Sequence, residues 1–288
     1  MLGDKQEQKV GSDSTAIQAA GNVTLNQNIG VSVTEVKELC LLFLRDNFPK
    51  LREEAIKAAE INVQKFAASL ESKIIEKSGD IVLEKFKDPD VQAAINDAVQ
   101  ASARKGEKAN PTVLADLIVE RASISTNDFK DIVLSEAVTV VPKITNSQIA
   151  YLSFIHYVTH IGVRGLKHIS QIEPYSQAAL KAVSSGFNLS DSQKRHIQYA
   201  GTCSIASMMT VDIYSGWMKK LYSYMGYSDV EIFKNDLASF SPSSRVLLDV
   251  FDDEKKDGQV TLTSVGQAIA IANLSTTMGK MDYSIWLK

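Results

Sequence analysis

Two of the four histidines, His156 and His160, stand four residues apart. On a helix that spacing puts both imidazoles on one face, where they could share a metal ion. No glutamate sits beside the first histidine as in the zincin motif, and no third ligand is assignable, His168 and His196 being the only other histidines. Tyr151, Phe154, Ile155, Val158 and Ile161 form an apolar stripe of the same segment with the two histidines on its flank. The ordinary reading is therefore a pair of half-buried imidazoles satisfied by backbone or hydroxyl groups. No metal is assigned, and His156, His160 and His196 are the candidates if one is bound.

Other constellations are poorer. Cys203 and Ser204 follow His196 by seven and eight residues. On one continuous helix that is two turns, about 10 Å, too far for direct proton transfer. The run from Asp252 to Gly258 resembles a calcium loop only superficially: with Gly258 at the sixth position, Lys255 falls on a ligand position and Ser264 replaces the closing glutamate. Neither a P-loop nor a dinucleotide fingerprint occurs, so no cofactor is implied. Lys219 and Lys220 lie among Trp217, Tyr222 and Tyr224, and aromatics interleaved with positive charge can stack bases or sit at a lipid headgroup layer. These five are candidate surface-binding residues, although a partner-facing or core aromatic cluster is the more ordinary reading, since a nucleic-acid footprint usually comes with a basic domain.

The elements that must position these residues read as mainly α. Hydrophobic residues make up 44% of the 288 and charged residues 23%, enough apolar surface to fold most of the chain. With 31 basic against 34 acidic residues the net charge is −3, which argues against a nucleic-acid partner. The polar start, Met1 to Lys9, lacks a signal-like apolar core, and Cys40 and Cys203 fit reduced thiols better than a disulfide, so a cytoplasmic protein is expected. Ile149–Val163 and Ile197–Val211 are the longest uncharged apolar stretches, too short to span a bilayer, and are expected to be buried core helices.

Residues 1–31 stand apart. Ala16-Ile17-Gln18-Ala19, a turn at Ala20-Gly21-Asn22, and Val23-Thr24-Leu25-Asn26 alternate as short strands do. Two such rungs cannot bury a core alone. Copies from several chains can, so if the segment is ordered Ile17, Ala19, Val23 and Leu25 are the expected self-association residues; the alternative reading is a flexible polar tail.

The body is expected as an N-terminal helical region (32–144), a central helical core (145–231) and a C-terminal strand-then-helix element (232–288) resembling a winged-helix tail. Capping boxes place helix starts at Ser32/Glu35, Thr145/Gln148, Ser190/Gln193 and Ser228/Glu231, and Asp88-Pro89 and Asn110-Pro111 place two more. Residues 104–110 read as an exposed linker, and Gln259–Thr263 as a strand ahead of a helix at Ser264–Leu274.

The leader, Ser14 through Asn26, resembles the S-x-x-I-Q-A-G-x-[DN]-V-x-[IV] leaders that precede diverse domains in bacterial conflict and phage-defence proteins, with Ala20 in place of the usual glycine. The tail, Leu262 to Ala270 with Trp286 near the end, is similar to the L-T-x-x-G-x-x-I element of an uncharacterised bacterial family and of some abortive-infection proteins. The resemblance implies an antiviral component that assembles through its leader and recognises a phage product or a partner protein from the same operon, and it supplies no catalytic residues. The rival readings are a metal-dependent hydrolase using His156, His160 and His196, and a membrane-surface or nucleic-acid binder using Lys219 and Lys220.

Overall fold

Local chemistry sets where the helices begin. The computed structural model describes residues 32–48, 53–124, 127–206, 212–254 and 259–287, so the leader candidates Ile17, Ala19, Val23 and Leu25 lie outside the described residues. Helix α1 (Val33–Asn47) opens on the expected box: the Ser32 hydroxyl accepts from the Glu35 amide, and the Glu35 carboxylate accepts from the Ser32 amide. Long α2 (Glu53–Glu76) follows. Asp88 caps α3 (Pro89–Lys105), with proline in the first turn where no amide is needed. Then come α4 (Pro111–Arg121) and α5 (Asp128–Val140), the latter capped by Asn127.

Boxes at Thr145 and Ser190 open α6 (Asn146–His160) and α8 (Asp191–Tyr199), with α7 (Glu173–Val183) between them. Strand β1 (Cys203–Ala206) precedes α9 (Ile213–Gly216), which runs on into a single π-helical turn at Trp217–Leu221. Helices α10 (Val230–Phe240) and α11 (Pro242–Glu254), strand β2 (Gln259–Leu262) and α12 (Ser264–Met278) complete the order. The fold is mainly α: twelve α-helices and one two-stranded sheet among the described residues.

The core centres on helices that are apolar all round, which only a position between other helices can satisfy. Ala268 to Ala272 of α12 are fully buried, and this helix packs against α4 and α5 from the first half of the chain and α6 and α7 from the second. Helix α2 packs on α1, α3 and α4. Gly266 makes one close approach feasible, since a Cβ there would collide with the Thr202 carbonyl. The same junction is tied by the Thr263 amide on the Thr202 carbonyl (3.0 Å) and the Thr263 hydroxyl on that of Gly201 (2.7 Å).

Four expectations are corrected. Ile197–Val211 is not one helix: α8 stops at Tyr199, Gly201 takes a positive φ of 79°, and Cys203–Ala206 pairs antiparallel with Gln259–Leu262, Cys203 opposite Leu262. The strand-then-helix tail thus finds its partner strand in the middle of the chain. Helix α10 starts from Asp229 rather than Ser228, because the Asp229 carboxylate accepts from the Glu231 and Ile232 amides. Asn110 holds the position before α4 in the left-handed region without capping it, and its amide donates to Asn146 instead. Residues 104–110 are anchored, not a free linker: α3 continues to Lys105, whose ammonium reaches the Pro142 carbonyl, and Ala109 is fully buried.

Candidate functional site

The C-terminal end of α6 collects most of the residues singled out by chemistry. Trp217, on the π turn, donates its indole to the Val158 carbonyl at 2.7 Å. Leu221, at the end of that turn, packs on Gly162, and the Tyr224 hydroxyl donates to the Val163 carbonyl (3.1 Å) and accepts from the Leu166 amide (3.3 Å). From the chain's other end, the Trp286 indole reaches the His160 carbonyl at 3.4 Å. The π turn, the segment that follows it and the chain's last segment therefore converge where α6 stops.

His156 and His160 share this place. Their rings lie 5.0 Å apart at 13°, and the Trp286 ring stands edge-on to His156 at 5.2 Å. His156 is fully buried and neither ring nitrogen has a hydrogen-bond partner among the described residues, so the reading of a satisfied half-buried imidazole is overturned for it. Burial, then the nearby His160, push its pKa down to about 3, which leaves a neutral ring with two unmet polar atoms. His160 is exposed, and desolvation lowers its pKa too. The Thr159 hydroxyl donates to the Ile155 carbonyl (2.6 Å) and can only accept from His160 Nδ1 (2.6 Å), which places the His160 proton on Nδ1 and its lone pair on Nε2.

His196 does not join them. Its Nδ1 accepts from Gln148 (3.1 Å), and Gln148 lies eight residues before His156, about 12 Å along α6. The three-histidine hydrolase is therefore not assembled by this fold. Cys203 sits on β1, not on the helix of His196, and burial raises its thiol to about 11, so it is no thiolate nucleophile at neutral pH. Tyr157, beside His156, starts a hydroxyl chain through Ser176, Ser244 and Ser241 to Glu173. The Glu173 carboxylate accepts from the Ser243 amide at the start of α11, so this chain docks α7 and α11 onto α6.

The five candidate surface residues separate. Trp217 and Tyr222 are buried, their rings 5.6 Å apart in the core, and neither can present a face to a base or a lipid. Lys219 and Lys220 are exposed without that aromatic platform. Tyr224 is half exposed and lines an open cleft of about 660 Å³, with Leu166–Ile169 on one wall and Tyr224–Tyr227 and Asp236 on the other. Tyr227 donates to Asp236 at 2.8 Å, and desolvation aided by that carboxylate pushes its phenol up to about 12. Both tyrosine hydroxyls are thus tied inward, which fixes their rings at the cleft wall.

One constellation went unread in the sequence. Asp116 is fully buried, its Oδ1 facing Lys73 at 3.3 Å and Lys77 at 3.2 Å. Glu120 pairs with Lys77 (3.4 Å) and Lys130 (3.1 Å), and Arg121 with Asp90 and Asp131. Burial opposes the Lys73 charge, but hydrogen bonding to Glu76 and the field of Asp116 outweigh it and raise its pKa. The visible signal was two i,i+4 pairs of opposite sign, Lys73/Lys77 and Asp116/Glu120, each on an apolar helix. With charges matched on every side, this is a structural network.

No group of three or more His, Cys, Asp or Glu side chains suited to a metal occurs among the described residues, and no described helix is long and apolar enough to cross a membrane. No curated protein and no solved structure matches the chain. A family model matches residues 30–232 and 226–287, beginning where the leader ends. The chain belongs to that family, one of unknown function.

Proposed function

We propose that the protein is a cytoplasmic component of bacterial antiviral defence that acts by binding and assembly, its leader joining copies and its helical body recognising a phage product or a partner protein. The observation that supports recognition is the cleft between Leu166–Ile169 and Tyr224–Tyr227. Its walls are connecting segments carried on a helical scaffold, where binding residues concentrate. Tyrosine is a preferred anchor in protein interfaces, and rings already held by Val163 and Asp236 lose little freedom on binding. Several copies joined by their leaders would bind a repetitive target more tightly than one. The antiviral setting rests on the resemblance of the leader and tail.

The test pairs phage challenge with solution mass. Cells expressing the full chain should plate at least one phage less efficiently than cells lacking it, and Tyr224→Ala with Tyr227→Ala should abolish the difference while leaving the particle mass unchanged. A chain starting at Ser32 should be smaller in solution and unprotective. No protection against a broad phage panel removes the antiviral reading, and an unchanged subunit number after trimming removes the assembly reading.

A further inference from the structure

We infer that His156 and His160 form a two-ligand site for a divalent ion of the nickel, copper and zinc class, with Trp286 as its cover. A buried imidazole with two nitrogens unpartnered among the described residues carries an uncompensated desolvation cost, and such a group in a native core calls for a partner. His160 already has the preparation that metal-binding histidines show: its Nδ1 proton is held by Thr159, whose own proton is committed to the Ile155 carbonyl, and Nε2 is left as a free donor. An ion held tetrahedrally at about 2.0–2.1 Å by one nitrogen of each ring separates the ring centres by about 5 Å. The observed separation is 5.0 Å with the ring planes stacked at 13°, so the spacing of the two side chains suits a shared ion while their present ring planes do not both aim at one point.

The rings are nearly parallel, so chelation takes a rotation of the exposed His160 ring that stretches its Thr159 bond; the brace sets the tautomer the ion meets, not the final ring pose. Entry runs past Trp286, half-buried and held on this side by a long hydrogen bond to the His160 carbonyl. Imidazole donors suit zinc, copper and nickel rather than magnesium or calcium. The protein supplies two nitrogens, and water fills the remaining positions.

The test titrates Ni²⁺ into the untagged full chain, cleared first with EDTA, by calorimetry and by quenching of Trp286 fluorescence. One ion should bind per chain, and quenching should vanish in Trp286→Phe but survive in Trp217→Phe. His160→Gln, at a surface position, should weaken binding tenfold or more. Thr159→Val should weaken it about tenfold and Thr159→Ser should restore it. His196→Gln should change nothing. Should His156→Gln fail to fold, His160→Gln decides: Ni²⁺ binding of parental strength in that variant, or no binding by the parent, overturns the site.

Discussion

Tyr283 donates its phenol to Asp116 Oδ2 at 2.7 Å across 167 residues of sequence, both side chains fully buried. The bond fastens the chain's last segment onto α4, where Lys77 also lies over the Tyr283 ring at 5.4 Å. Burial, with Asp116 and Glu120 close by, raises the Tyr283 pKa far above its usual value, so it acts as a donor throughout the working pH range. The same segment is pinned at its start by Lys280 on Asp80 and near its end by Trp286 on His160.

Removing one member of this network leaves its partners stranded, and that cost exceeds the worth of the pair itself. Asp116→Asn should destabilise the fold by about 3–5 kcal/mol, because Lys73 and Lys77 lose the carboxylate between them. Tyr283→Phe should cost about 2 kcal/mol, the value of a buried hydrogen bond to a charged acceptor. Urea midpoints for the two variants and the double variant give the coupling. Strict additivity would show that the two side chains do not act as one unit.

Two glycine-to-alanine changes should differ sharply. Gly266→Ala drives a Cβ into the Thr202 carbonyl, which is fixed by its bond to the Thr263 amide, so α12 or β1 must shift. A loss above about 2 kcal/mol is expected, comparable to overpacking a core. A Cβ at Gly216 meets nothing within 4 Å and the residue is helical, so Gly216→Ala should be neutral or stabilise by up to about 1 kcal/mol. Thermal melts of both variants decide the comparison.

The helix starts were legible because a cap is a local object: Ser32 with Glu35, Thr145 with Gln148 and Ser190 with Gln193 satisfy their own amides whatever the rest of the chain does. What stayed hidden depends on partners distant in sequence. Cys203–Ala206 becomes a strand only because Gln259–Leu262 arrives beside it, and no local pattern overrode the helical reading of Ile197–Val211. The neighbouring Lys219 and Lys220 left Trp217 open to both a surface and a core reading, and only its bond to Val158, 59 residues away, decides for the core. His156 and His160 were found from their spacing, but the missing partners of His156 and the Thr159 brace on His160 are facts of packing.

The start of α10 offers a clean test of one local correction. With Asp229 Oδ1 accepting from two backbone amides, Asp229→Ala should cost about 1 kcal/mol, the usual worth of a cap. Ser228→Ala should leave stability within about 0.5 kcal/mol, as at an ordinary surface position. The reverse order in chemical denaturation would return the cap to Ser228.

Acid should weaken the fold through His156. Its folded pKa lies near 3 while the unfolded value is about 6.5, so between those limits the unfolded chain binds a proton that the folded chain refuses. Stability is therefore full above pH 6.5 and falls as the pH drops toward 3, by up to about 1.4 kcal/mol per pH unit from this group. His160, lowered by desolvation, pulls in the same direction. Measured in EDTA, the urea midpoint of the parent should drop between pH 7 and pH 5 by more than that of His156→Leu, which has no proton to gain there. Carboxylates contribute equally to both proteins and cancel in the difference, so superimposable pH profiles for parent and variant would mean that His156 is solvated and partnered in solution.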